Sequence, residues 1–250
     1  YDPVRDRMLV FGGFEGSFSS DVWALSLVGS TSWSVLTPGG SPPVGRAGHS
    51  AIYDPVGDRM VVFGGFDGIP HNDVWAISLA GSPVWSALVP AGSSPTARRE
   101  LGAIYDPLRN RMVVFGGDDS FGLFFDDTHK LSLAGSPAWS AVDPAGGRPI
   151  ARAYQTAVYD PVRDRMILFG GVGVDGVYRN DLWALSLVGI PVWSTLFAAG
   201  SPPAARFGHT AIYDPVRDRM VVFGGSDFSL HNDVWALSFA GSPVWSALAP

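Results

Sequence analysis

The sequence predicts an all-β protein built from five copies of one four-stranded antiparallel sheet. Three observations support this fold class: a long-period repeat, segments of strand composition within each copy, and turn residues between those segments. A Tyr-Asp-Pro turn recurs after 52, 52, 54 and 54 residues, and a period of this size is typical of repeat architectures. The copies therefore begin near residues 1, 53, 105, 159 and 213.

The second copy shows how one repeat forms a sheet. It contains four short segments rich in Val, Ile, Phe, Trp and Tyr, a composition that favours strands over helices. Between the first two segments, Pro55 occupies the position where a type I turn requires a fixed φ, so we expect a tight hairpin. The predicted strands are 46–53, 59–63, 73–79 and 84–88.

A double glycine ends the second strand of every copy, as Gly64 and Gly65 do in the second. Adjacent glycines permit positive φ and close backbone approach, which suits a crowded strand end near a central axis. The apolar run 60–63 predicts a strand that neighbouring sheets cover on both faces. Trp75 and Trp85 are the expected large fillers between sheets.

This combination of apolar run, double glycine and two spaced aromatic residues resembles the Kelch repeat of β-propellers. The double-glycine element occurs at 10–13, 62–65, 114–117, 168–171 and 222–225. In the third copy, His129 replaces the first tryptophan. The resemblance covers residues 1–250 and implies one β-propeller domain of four-stranded blades, the first of which lacks its first strand. Because Kelch rings more often contain more than five blades, we expect the natural protein to extend beyond these termini.

Composition limits the classes of function. A formal net charge of -6 argues against a nucleic-acid surface, and the absence of cysteine excludes disulfides and cysteine-ligated zinc. No apolar run approaches the roughly 18 residues of a membrane span. His49 and His209 occupy equivalent positions in their copies, so repetition explains them without a metal. We expect neither a metal nor a cofactor.

One loop varies in length between copies. From the second glycine to the next repeated aspartate it spans eight residues in copies one, two and five, but ten in copies three and four. This loop shares a face with the connections between blades, and we predict that this face binds a ligand. Charged and aromatic residues interrupt the repeat pattern there. The predicted ligand-binding residues are Arg98, Arg99, Glu100, Asp118, Asp119, Phe121, Phe124, Phe125, Arg152, Tyr154, Gln155, Tyr178 and Arg179.

Opposite charges also recur at this rim. Arginines are expected at the start of the first strand of copies two to five, at Arg46, Arg98, Arg152 and Arg206. Acidic residues follow the double glycines, at Glu15, Asp67, Asp119, Asp175 and Asp227. Their repetition predicts a structural ring of exposed ion pairs, each stabilising the fold by less than ~1 kcal/mol. We expect the aspartate before each third strand, such as Asp73, to bond nearby backbone amides.

The leading functional prediction is a non-catalytic binding or scaffold module that recognises a protein, peptide or glycan through the variable loop face. Near-identical blades favour binding, since catalysis needs distinct groups at distinct positions. We expect the protein to be secreted or to belong to the cell envelope.

Two alternatives stay open. The resemblance includes Kelch-propeller enzymes that act on carbohydrates as epimerases or lyases, for which Arg98, Glu100, Arg152 and Tyr154 are the candidate groups. The family's copper oxidases are excluded, because their cofactor joins a tyrosine to a cysteine. The other alternative is a self-assembling structural subunit in which a neighbour donates the missing strand.

Overall fold

The computed structural model describes residues 1–248, and all the regular elements in this range are β-strands. Five sheets follow one another along the chain, and neighbouring strands within each blade are antiparallel. This confirms the predicted all-β propeller of five blades. Residues 249 and 250, the end of the predicted domain, lie outside the described residues.

Blade one has three strands and the other blades have four each, as the repeat pattern predicted. Blade one contains Arg7–Phe11, Val22–Ser26 and Ser32–Leu36. Blade two contains Ser50–Asp54, Arg59–Phe63, Val74–Ser78 and Val84–Leu88. Blade three contains Gly102–Asp106, Arg111–Phe115, Thr128–Ser132 and Ala138–Val142. Blade four contains Thr156–Asp160, Arg165–Phe169, Leu182–Ser186 and Val192–Thr195. Blade five contains Thr210–Asp214, Arg219–Phe223, Val234–Ser238 and Val244–Leu248.

Short ladders supplement the blades. Gly39–Gly40 pairs in parallel with the outer strand of blade two, and Arg152–Ala153 pairs with Val172–Gly173. The first strand of blade two begins at Ser50 rather than at Arg46 as predicted, because Gly48 has a φ of +66° that no extended strand permits. The inner strands of blades two to five line a central channel of about 380 Å³.

Phenylalanine and tryptophan clamp adjacent blades together. The phenylalanine that ends a second strand packs against the outer-strand tryptophan of the next blade, with ring centroids 4.8 to 5.1 Å apart. The four pairs are Phe11 with Trp85, Phe63 with Trp139, Phe115 with Trp193 and Phe169 with Trp245. These residues lie in the hydrophobic clusters between blades, as expected for Trp85.

Two faces lack this clamp. Phe223 of blade five is 52% exposed, whereas Phe115 at the equivalent position is fully buried. Trp33 of blade one is likewise 52% exposed, although the equivalent Trp85 is 4% exposed. Within residues 1–248, the forward face of blade five and the rear face of blade one are therefore uncovered.

The hairpins at the end opposite the variable loops are linked by ion pairs between blades. Arg5 pairs with Asp58 at 2.6 Å, and equivalent pairs join Arg109 to Asp164 and Arg163 to Asp218. Between blades two and three, both charges are absent, since Gly57 and Asn110 occupy these positions. The two members of the pair are thus replaced together at this interface.

Candidate binding face

Four buried arginines lie beneath the predicted loop face, and their side chains donate hydrogen bonds to the loops. Arg98 donates to Asp127 at 2.5 and 2.9 Å and to the carbonyl oxygen of Gly116 at 3.0 Å. Arg46, Arg152 and Arg206 make the same contacts in their own blades. Burial favours a neutral Asp127, but hydrogen bonds from Arg98 and His129 outweigh it and hold the pKa of this carboxyl well below its ordinary value.

These contacts correct three predictions. The partner of each buried arginine is the aspartate before the third strand and not the acidic residue after the double glycine, since Asp67 lies 2.9 Å from His71 instead. The aspartate before the third strand bonds side chains and not the expected backbone amides, as Asp73 accepts from Arg46 and Trp75. Arg98 and Arg152 were also predicted to contact a ligand, but both side chains are fully buried. Their guanidinium groups support the loops and do not reach the surface.

Four equivalent residues surround the channel mouth on this face: Gly48, Glu100, Tyr154 and Gly208. The backbone N–H of Glu100 donates to Gly48 at 2.7 Å, that of Tyr154 to Glu100 at 2.9 Å, and that of Gly208 to Tyr154 at 3.0 Å. All four have φ between +53° and +66°, a region that favours glycine. Blades three and four thus place larger side chains where blades two and five use glycine.

Glu100 carries a carboxylate without a protein partner. The side chain is half-buried and makes no hydrogen bond or ion pair within residues 1–248. A Cβ on Gly48 would lie 2.6 Å from Glu100 Oε1, so the carboxylate covers this glycine. Burial raises the pKa of Glu100, the nearby Asp118 adds to the rise, and Arg99 opposes it.

A groove runs beside Glu100. Phe14 packs on Phe18 at 4.9 Å between ring centroids, and Phe18 packs on Phe66 at 5.8 Å. The Arg99 guanidinium lies 4.8 Å above the Phe66 ring and donates to Asp118 Oδ1 at 3.0 Å. These side chains enclose a groove of about 230 Å³ between the first three blades.

A second aromatic row lies on the other side of the mouth. Tyr154 contacts Phe207 at 5.7 Å, Phe207 contacts Tyr178 at 5.0 Å, and Tyr178 contacts Phe228 at 4.9 Å. Phe228 is 94% exposed and has a φ of +114°, at the position that Gly68 occupies in blade two. The predicted residues Tyr154 and Tyr178 are therefore brought together by two phenylalanines that sequence reasoning missed.

The remaining predicted residues divide between exposed and supporting positions. Phe121 is exposed at the tip of its loop, and Asp119 accepts the backbone N–H of Phe121 at 2.8 Å. Phe125 lies beneath the face, with the Arg98 guanidinium 4.1 Å from its ring. Phe124 is half-buried.

Two predicted residues of blade four are also engaged within the fold. Gln155 is buried and donates to the carbonyl oxygen of Phe115 at 3.1 Å, and Arg179 pairs with Asp175. Gln155 therefore supports the face from below.

Charge is distributed unequally between the two ends of the propeller. The end with the Tyr-Asp-Pro hairpins carries nine aspartates and nine arginines. The remaining fourteen acidic residues and seven arginines lie at the loop end, and Lys130 lies within a strand. The net negative charge of the protein is therefore concentrated at the end that bears the binding face.

Two further properties concern residues 1–248 alone. This part of the chain contains no helix with the length and apolarity needed to cross a membrane. In the same range, no three His, Asp or Glu side chains lie close enough together to hold a metal ion.

Comparison with known proteins gives the same fold. The family model described as the KLHDC2/KLHL20/DRC7 Kelch-repeats domain matches residues 1–137 and 69–250. A solved structure, YjhT, is similar with a TM-score of 0.52 and 13% identity, over 99% of this chain and 98% of that one. At this identity the similarity concerns the fold alone.

Curated relatives are much longer than this chain. The leucine-zipper-like transcriptional regulator 1 homolog of Drosophila melanogaster is 31% identical over 98% of this chain, which covers 26% of that protein. Tip elongation aberrant protein 1 of Schizosaccharomyces pombe is 32% identical over 81% of this chain and 18% of its own length. Putative adagio-like protein 2 of Oryza sativa subsp. japonica is 29% identical over 91% of this chain and 38% of its own length. From the family match along its whole length and the clamped blades, we conclude that the chain belongs to the Kelch-repeat family of β-propellers.

Proposed function

We propose that this Kelch propeller is a non-catalytic module that binds a segment of another protein on its loop face. The names of two similar proteins, a leucine-zipper-like transcriptional regulator 1 homolog and tip elongation aberrant protein 1, support a regulatory role. The face itself supports it through two aromatic rows that flank the half-buried Glu100.

The observation that carries the proposal is backbone strain on this face. Glu100, Tyr154 and Phe228 have positive φ, where residues other than glycine are disfavoured by about 1 to 3 kcal/mol each. The fold does not require these side chains, because Gly48, Gly208 and Gly68 serve at equivalent positions. Because the fold does not need the backbone strain at these three residues, we infer that their side chains serve to contact a ligand.

The same geometry gives less support to the alternative function, an epimerase or lyase that acts on a carbohydrate. Two of its four candidate groups, Arg98 and Arg152, are buried and bound to aspartates. Recognition of a glycan, self-association, a scaffold role and a secreted or envelope location stay predictions from the sequence.

Replacing the three strained residues with glycine tests the proposed function. Peptides selected from a random displayed library on the wild-type domain are measured against the Glu100→Gly, Tyr154→Gly and Phe228→Gly triple variant. We expect the affinity of most selected peptides to fall at least about tenfold, while thermal stability is unchanged or raised because strain is relieved. Val216→Ser, at the exposed hairpin end, is the control and leaves both quantities unchanged. If the selected peptides bind the wild type and the triple variant with equal affinity, the loop face is not the binding surface.

A further inference from the structure

We propose that the segment bound on the loop face is cationic, with a lysine or arginine paired to Glu100 and a neighbouring apolar side chain in the groove of Phe14, Phe18 and Phe66. This inference rests on the proposed function and specifies the chemistry of the ligand. A basic peptide segment is the one occupant to which the charges and shape of the face correspond.

The first argument is the unpaired carboxylate of Glu100. A half-buried charge without a partner destabilises the fold, and an approaching cation removes that cost. Burial also raises the pKa of Glu100, in agreement with a carboxylate whose charged form the fold does not fully compensate.

The nearby arginine compensates Glu100 only in part. Arg99 lowers the pKa of Glu100, but its Nε donates to Asp118 at 3.0 Å and its guanidinium stacks on Phe66 rather than pairing with Glu100. Within residues 1–248, Asp118 and Tyr154 are the other ionisable groups whose charges act on this site, and neither is cationic. The cation that compensates Glu100 therefore comes from the ligand.

The aromatic groove is the reason to expect an apolar side chain beside the cation of the ligand. The exposed Phe14 lines the groove together with Ala47 and Phe66, and Glu100 lines the same groove. Lysine and arginine have apolar stems that pack along aromatic rings while the charged head reaches a carboxylate. One short basic and apolar segment can therefore contact the groove and Glu100 together.

The charge distribution of the whole molecule favours the same ligand. The excess of negative charge lies at the loop end, and the hairpin end is balanced. Such a field accelerates the approach of a cationic partner to the loop end and makes association depend on salt.

Two matched peptides test the inference. One consists of four Gly-Leu-Lys triplets, and its counterpart has glutamate in place of lysine; both are labelled and measured by fluorescence anisotropy at low and physiological salt. We expect the lysine peptide to bind at least about tenfold more tightly than the glutamate peptide, and more weakly as salt rises. Glu100→Gln should reduce the affinity for the lysine peptide about tenfold.

Two further variants separate pairing with Glu100 from general attraction. Asp143→Asn removes an equal charge from the loop end outside the groove and should change the affinity by less than about twofold. Phe14→Ser alters an exposed wall of the groove and should weaken the Gly-Leu-Lys peptide but not a Gly-Ser-Lys peptide. Circular dichroism confirms that each variant is folded.

Three outcomes would overturn the inference: equal binding of the lysine and glutamate peptides, no effect of Glu100→Gln, or equal effects of Glu100→Gln and Asp143→Asn. The proposed function can survive this failure. If library selection yields peptides that depend on the loop face but lack lysine and arginine, the face binds a segment of other chemistry. If no selected peptide depends on the face, both proposals fail.

Discussion

His209 shows how one buried side chain links stability to pH. Its ring packs on Phe169 at 5.1 Å, and Nε2 lies 2.9 Å from Thr156 Oγ1. Burial lowers the pKa of His209 to about 4, with a further contribution from Arg206, whereas an unfolded histidine has a pKa of about 6.5. The unfolded state therefore binds a proton first as pH falls, so the contribution of His209 is present above pH ~6.5 and lost towards pH ~4.

His209→Gln tests this linkage with the residue that blade four has at the same position, Gln155. Between pH 7 and pH 5, we expect the wild type to lose about 2 kcal/mol of unfolding free energy through His209, and the variant to lose that much less. Urea unfolding at the two pH values measures the difference. If both proteins show the same change, the histidine is not held neutral by the fold.

The buried arginines lead to a second test at this scale. Removing Arg98 would leave the carbonyl oxygen of Gly116 without this donor and Asp127 with His129 alone, so Arg98→Met should destabilise the fold by about 2 kcal/mol. Arg148 pairs with Asp126 at 3.0 Å in solvent, so Arg148→Met should cost less than about 1 kcal/mol. Chemical denaturation of both variants gives the comparison. Similar small losses would mean that the buried pair is as weak as the exposed one.

At the scale of the blade, strands whose ends are set by neighbouring residues could be predicted from the sequence. The strands predicted at 59–63 and 84–88 have the bounds expected, because Pro55, Gly64 and the alternation of residue types act within a few positions. The ion-pair partner of each arginine was predicted wrongly, because Arg98 and Asp127 are 29 residues apart and are brought together only by the sheet.

The candidate face was predictable where a copy replaces glycine and hidden where its contacts join different blades. Glu100 and Tyr154 replace the glycine of other copies, and Phe228 carries the same signal against Gly68. Phe14 and Phe66 follow the double glycine of blades one and two, and no sequence signal indicated that they line one groove with Arg99 of blade three.

The clamp between blades predicts unequal effects of equivalent substitutions. Phe115→Ala removes a buried ring that packs on Trp193 and should destabilise the fold by about 3 to 5 kcal/mol. Phe223→Ala changes a ring that is half exposed and should cost less than about 1 kcal/mol. Thermal or urea unfolding of the pair checks this. A large loss for Phe223→Ala would show that blade five is covered in solution.

At the scale of the whole molecule, each blade depends on its neighbours. Blades two, three and four are covered on both sides by the repeated clamp, whereas blades one and five each have one uncovered face within residues 1–248. In repeat architectures, stability is approximately the sum of the units and their shared interfaces. The free energy needed to open a blade should therefore be highest at the centre of the array.

Hydrogen exchange under native conditions tests this gradient. Backbone amides of Arg111–Phe115 in blade three should exchange most slowly, and those of Arg219–Phe223 and Arg7–Phe11 faster, because terminal blades open without breaking two interfaces. Mass spectrometry of peptides from each second strand gives the comparison at matched positions in the repeat. Uniform protection across all five blades would mean that the two open faces are joined in solution and that the propeller unfolds as one closed ring.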